Sequence, residues 1–392
     1  MKTTHNVTIG ILLANLFIAF IGIGLVIPVM PTLMNELHIS GTVVGYMTAA
    51  FALTQLVVSP FSGKAADKFG RKIMIVIGLF IFSLSELLFA VGTSVELLFV
   101  SRIFGGMSAA FIMPAVTAFI VDSTTLKGRA KALGYMSAAI GTGFIIGPGI
   151  GGFLAEYGTR APFFAAATMA LIAAVISLVF LREPERQNLE TADSKAAAKG
   201  GLRKIVLPIF LMAFIVIFVS SFGMALFESF FSLYTDHKFG FTPRDIAIAI
   251  TGGAIIGVVC QIVVFDKLVR AIGEVNLVRM MLILSGLLTF AVTITHSYWL
   301  IMAVVFLLFT GFDLIRPAVT NYLSRIAGND QGFVGGMNSF FTSLANVFGP
   351  VLGGIFFDIN IDYPFYVATI VIVLGTILAF FWKDPTRHQT AD

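Results

Sequence analysis

The chain has 392 residues, 58% of them hydrophobic and only 12% charged, about half the ~25% usual in a soluble domain. With a mean hydropathy of +0.97, these figures exclude a soluble globule and describe an all-α membrane protein with many spans. The net charge of +4 is spread between apolar runs rather than gathered in a patch, which argues against nucleic acid as a partner and for a lipid bilayer.

A spanning helix needs roughly 20 apolar residues. In that unit the sequence predicts twelve spans, over 7–29, 42–62, 73–92, 96–121, 132–155, 161–181, 206–234, 246–265, 275–295, 298–323, 332–357 and 363–382. The first run is too long for a signal-peptide core and has no small-residue cleavage site, so it reads as an uncleaved span. Basic residues fall in alternate connections. Lys64, Lys68, Arg71 and Lys72 lie between spans two and three, and Lys127, Arg129 and Lys131 between four and five. Arg182, Arg186, Lys195, Lys199, Arg203 and Lys204 lie between six and seven, and Lys267, Arg270 and Arg279 between eight and nine. The other connections are nearly bare. The positive-inside rule then places both termini in the cytoplasm of a multi-pass protein of the plasma membrane. The polar segment 183–204 reads as a cytoplasmic linker between six-span bundles at 1–182 and 205–392.

The two halves repeat. Pro114-Ala115-Val116-Thr117 returns as Pro317-Ala318-Val319-Thr320, an offset of 317 − 114 = 203. Gly147-Pro148 with Gly151-Gly152 returns as Gly349-Pro350 with Gly353-Gly354, an offset of 349 − 147 = 202. Parallel six-span repeats with a site near the midplane between them are one transporter architecture.

Cys260 is the only cysteine, and the histidines (His5, His38, His237, His296 and His388) share no ligand spacing. Neither a disulfide nor a metal site is expected. The run Gly147-Pro148-Gly149-Ile150-Gly151-Gly152 fits a dinucleotide fingerprint in letters only, because it lies inside an apolar span with no preceding strand. There Pro148 removes a helical hydrogen bond and the glycines permit close packing, so the motif is either a hinge or a static packing seam. No phosphate-binding loop of the Walker type is present, which argues against direct use of ATP.

Intramembrane acids are the sharpest candidates, since ionisable groups at membrane depth usually face a partner or a water-filled cavity. Glu228 lies in span seven, with Phe231 and Ser232 on its helical face. In span ten Phe309, Asp313 and Arg316 share a face. Desolvation disfavours the charged form of a carboxylate, so such a group can hold a proton and release it when a cation or water enters. A structural ion pair between Asp313 and Arg316 is the alternative. Glu86, in span three, has no aromatic face of its own and ranks lower. The first-half copy of span ten has Ala110 and Met113 where Asp313 and Arg316 stand, so the charges are an addition to one half. Arg102, early in span four, either snorkels to the interface or is buried. Phe51 and Gln55 share a face of span two.

Three stretches carry a resemblance. Gly63-Lys64-Ala65-Ala66-Asp67-Lys68-Phe69-Gly70-Arg71-Lys72 resembles the signature loop of the major facilitator superfamily. Arg102 followed by Gly105-Gly106 is similar to its span-four motif, and Gly143, Gly147, Pro148, Gly151 and Gly152 to the antiporter motif of its drug-efflux branch. Most of the chain resembles the Bmr/NorA group of multidrug:proton antiporters of Gram-positive bacteria, in segments such as Gly22 to Pro28 and Gly311 to Pro317. The resemblance implies a major facilitator fold, with twelve transmembrane helices in two six-helix bundles. It implies Asp67 and Arg71, in a loop whose glycines Gly63 and Gly70 allow a tight turn, as members of an inter-helix charge latch. It implies proton coupling at Arg102. It also implies a pocket built from Phe20, Phe51, Gln55, Phe144, Glu228, Phe231, Ser232, Phe309, Asp313 and Asn346.

The expected function is therefore export of hydrophobic, often cationic drugs in exchange for protons. Glu228 and Asp313 carry the proton, Arg316 tunes Asp313, and a monomer works without a cofactor on the proton gradient. A proton symporter importing a sugar or metabolite on the same fold is the first alternative. A membrane-embedded lipid-modifying enzyme would need clustered acids or histidines at one membrane face, and a channel is disfavoured by the repeat and hinge motif.

Overall fold

The computed structural model describes residues 2–183, 208–327 and 330–382. Among them there is no strand, and twelve helices are long and apolar enough to cross a membrane. They are Val7–Leu37, Gly41–Phe69, Arg71–Val91, Val95–Ser123, Lys131–Tyr157, Ala161–Phe180, Phe210–Phe239, Pro243–Val263, Glu274–Ile294, Tyr298–Ala327, Phe333–Ile359 and Tyr363–Phe380, called here spans one to twelve. The expected linker lies outside the described residues except for Glu183, as do the cations Arg186, Lys195, Lys199, Arg203 and Lys204.

The connections follow from local chemistry. Span one continues past its expected end at Val29. Pro28 interrupts the helical hydrogen bonding and Ile27–Val29 tightens into a 3-10 turn, but Met30–Leu37 resumes the helix. His38, at φ 51°, stops it, and Ser40 caps span two by accepting from the Val43 N–H at 3.4 Å. Span two runs through the signature loop to Phe69, and the chain reverses at Gly70 alone, at φ 104°. Gly63 lies within that helix, and a Cβ there would meet nothing within 4 Å, so it does not form the turn expected of it. Between spans eight and nine a short amphipathic helix, Phe265–Ile272, replaces the expected loop and ends at Gly273, at φ 81°.

The described residues fall into two compact units. One comprises 2–183 with 235–251, the other 208–234 with 252–327 and 330–382. In the first, span one packs on five and six, span four on two and three, and span three on six. In the second, span nine packs on ten and twelve, and eleven on twelve. Each unit keeps its aromatic and aliphatic core inside, with Phe89, Phe119 and Phe163 in the first and Phe214, Phe227, Phe230 and Phe365 in the second. Large apolar side chains also cover the outside, among them Phe180, Ile262, Leu287, Trp299 and Ile370. A soluble protein does not expose apolar surface on this scale, whereas lipid solvates it without penalty.

Glycines set how closely span five approaches span one. Gly143, Gly147 and Gly151, four residues apart, lie on one face. An ideal Cβ at Gly147 would stand 2.8 Å from both Gly24 Cα and the Ile21 carbonyl, and one at Gly151 would overlap the Leu25 carbonyl. Gly152 points elsewhere, against Ala247 and the Pro243 carbonyl of the 235–251 segment. The span-five motif is thus a packing seam with two faces.

Candidate functional site

In the second unit, the helix Pro208–Phe239 buries almost everything around Glu228. Phe227, Phe230, Phe231 and Ser232 are all buried, whereas Glu228 itself is exposed. The Phe227 ring stacks on Phe231 with centroids 4.9 Å apart and meets Phe309 of span ten edge-on at 5.8 Å. That contact fastens span seven to span ten one residue from Glu228 and one turn from Asp313. Asp313 is half-buried and lies within electrostatic reach of Glu228. Asn346, on span eleven, is exposed. The second unit therefore offers two carboxyl groups and an amide at its accessible surface. Phe231, Ser232 and Phe309, expected to touch substrate, pack behind them as a buried wall.

Arg316 is exposed, and among the described residues it forms no ion pair with Asp313 within 4.0 Å. Three residues of helical spacing put the two on neighbouring positions without bringing their charges together.

In the first unit the rings of Phe20 and Phe144 lie 4.9 Å apart and tilted, with Phe144 exposed. Phe20 and Phe51 line an apolar niche with Phe82, Ile112 and Met113. Gly105 makes room for Phe51, since a Cβ there would stand 3.0 Å from its ring. Gln55 is half-buried one turn from Phe51.

The signature loop forms a charge cluster inside the first unit. Arg71 pairs through Nη1 with Asp67 at 3.0 Å and through Nε with Asp122, at the end of span four, at 3.0 Å. Its Nη1 also donates to the Ala66 carbonyl at 3.1 Å. The free backbone N–H groups of Arg71 and Lys72, which open span three, donate to the Glu183 carboxylate at 2.5 and 2.8 Å, a capping role a helix N-terminus favours for an anion. Gly70 is needed here too, because a Cβ would stand 2.9 Å from that carboxylate. Lys68 lies over the Phe69 ring at 5.4 Å. Sequence reasoning named Asp67 and Arg71 but missed Asp122 and Glu183, which are distant in the chain and follow no local spacing.

Arg102 does not snorkel. It pairs with Glu86 at 3.5 Å and stacks 4.2 Å from the Phe89 ring centroid. Glu86 is only 3% exposed, so the acid ranked lowest is the most buried of the three and is paired with an arginine that itself stacks on an aromatic ring. Its partner sits on the next span, which no single-helix spacing could reveal. Among the described residues no group of three or more His, Cys, Asp or Glu side chains could hold a metal.

Against known proteins, the family model of the Major Facilitator Superfamily matches residues 12–277 and 213–392. Multidrug resistance protein 1 of Bacillus subtilis is 62% identical over 386 residues, covering 98% of this chain and 99% of that protein. The chain belongs to the Major Facilitator Superfamily. Within the superfamily it is also 44% identical over 379 residues to quinolone resistance protein NorA of Staphylococcus aureus, with 97% of each covered. Solved superfamily structures agree in fold. A bacterial homolog of the human lysosomal transporter spinster, inward-facing and occupied, superposes with a TM-score of 0.82 at 14% identity over 97% of both chains. The nucleoside transporter NupG superposes with a TM-score of 0.75 at 14% identity. The superfamily fold and the relatives are those of transporters, not of enzymes.

Proposed function

We propose that the protein is a multidrug efflux transporter that exports hydrophobic, often cationic compounds in exchange for protons. The observation that carries this reading is Glu228, an exposed carboxyl group at membrane depth on a helix whose neighbouring residues are buried, with Asp313 within electrostatic reach. A carboxyl group so placed is costly unless it serves a partner, and two of them can exchange protons for a cation. The relatives named for multidrug and quinolone resistance support the substrate class.

In this reading Glu228 and Asp313 bind protons and cationic groups, and Asn346 offers an amide. Within the first unit, Phe20, Phe51, Gln55 and Phe144 form an apolar surface with one amide and few fixed polar demands, which suits varied substrates. Arg102, held by Glu86 and Phe89, supports proton coupling from the first unit, and the Arg71 cluster stabilises one conformation of the transport cycle. The basic connections favour cytoplasmic termini in the plasma membrane, with the proton gradient as the driving force. Efflux of ethidium from cells expressing Glu228→Gln tests the reading. Efflux should fall to the level of cells lacking the transporter while the protein stays in the membrane, and unchanged efflux contradicts it.

A further inference from the structure

Span eight carries three glycines, Gly252, Gly253 and Gly257, and their missing side chains are filled by span ten. An ideal Cβ at Gly252 would stand 2.8 Å from the Phe306 ring, and one at Gly253 would stand 2.5 Å from Cδ2 of Phe309. One at Gly257 would overlap Oδ2 of Asp313. Gly253 and Gly257 are four residues apart, as are Phe309 and Asp313, so two helical rows face each other and the carboxyl group drops into the gap at 257. The side of span eight carrying Ile255, Val259 and Ile262 is exposed, so the glycine row lies on the packed side of this part of the helix. At Gly257 the atom a Cβ would meet first is the oxygen of an intramembrane acid.

We propose that Gly257 is the positioning residue for Asp313, holding its carboxyl group against the span-eight backbone in the place where it loads and releases a proton. The proposal rests on the reading of Asp313 as a proton carrier. A carboxyl group with one oxygen against a helix backbone has fixed access to water and a fixed distance to its charged neighbours. Those neighbours are Glu228 from span seven and Arg316 from its own helix. Span eight contributes no charged side chain along the glycine row, and its one titratable residue nearby is Cys260, a helical turn beyond Gly257. A side chain at 257 must push the carboxyl group out of its seat and so change how readily it takes up a proton. A side chain at 253 displaces Phe309 instead and leaves the acid where it is.

The test is the pH profile of ethidium export in liposomes for Gly257→Ala, Gly253→Ala, Asp313→Asn and the double variant Gly257→Ala/Asp313→Asn. Gly257→Ala should move the profile's midpoint by about one pH unit, roughly a tenfold change in proton affinity. Gly253→Ala should not move it. The double variant should match Asp313→Asn alone, because the glycine acts only through the acid. If Gly257→Ala leaves the midpoint in place while Asp313→Asn moves it, the positioning role is overturned and the coupling reading stands. If Asp313→Asn itself leaves the profile unchanged, the coupling reading fails. If Gly257→Ala does not reach the membrane, Gly257→Ala/Asp313→Ala, which vacates the same space, should reach it, and loss of both overturns the proposal.

Discussion

Gly147→Ala should destabilise the protein through a contact that can be sized directly. The added Cβ would stand 2.8 Å from Gly24 Cα and from the Ile21 carbonyl, against an ordinary contact limit of 3.4 Å. The helices must therefore part by about 3.4 − 2.8 = 0.6 Å, because both neighbours are backbone and no rotamer relieves the overlap. Overpacking of this kind costs about 1–3 kcal/mol. For a unit of this size each kcal/mol is worth about 2–4 °C in Tm, so the apparent Tm of purified protein in detergent should fall by roughly 2–12 °C. Gly134→Ala is the control. It lies on the same helix with nothing within 4 Å of the added Cβ, and there alanine should gain up to ~1 kcal/mol of helix propensity. Equal Tm values for the two variants would refute the claim that span five is seated on span one by its glycines.

Asp122→Asn should loosen the Arg71 cluster. It removes the charge partner of Arg71, whose side chain is only 11% exposed, although Asp67 and the Ala66 carbonyl remain. Because those partners remain, the loss should stay at or below about 3 kcal/mol, the low end for breaking a buried pair, read as a lower Tm and as faster proteolysis at the 63–72 segment, and Glu183→Gln should act in the same direction through the cap on span three. Tyr234→Phe removes a hydroxyl that donates to Asp362 Oδ1 at 2.7 Å and lies 3.1 Å from the Val292 carbonyl. Its loss should cost about 1–3 kcal/mol with little change in the substrates exported, and a variant with unaltered Tm would show that water replaces the hydroxyl.

Apolar run length made all twelve spans legible, because a bilayer core demands one quantity above all others. Where the chain departs from that reading, a proline or an amphipathic segment is responsible. Pro28 looks like a stop but only tightens one turn before Met30–Leu37 resumes the helix. Phe265–Ile272 has too many charges to count as apolar yet folds as a helix. Glu228 and Asp313 stood out as charges in apolar runs, a signal that needs no partner to be seen. The residues that hold them, and those that pair across helices, gave no such signal. Arg71 with Asp122, Arg102 with Glu86, and Gly257 with Asp313 join different spans, and sequence spacing describes neighbours on one helix only. The same limit explains Arg316, whose position three residues from Asp313 suggests a pair that the side chains do not form.

We propose that substrate leaves as protons enter, through Glu228. Purified protein in liposomes, with ethidium export and internal pH followed together, tests it most directly. A pH gradient should drive ethidium export, adding ethidium should dissipate the gradient, and Glu228→Gln should abolish both while Arg316→Gln retains them. Ethidium export that continues undiminished in Glu228→Gln, or that proceeds with no accompanying proton movement, would contradict it.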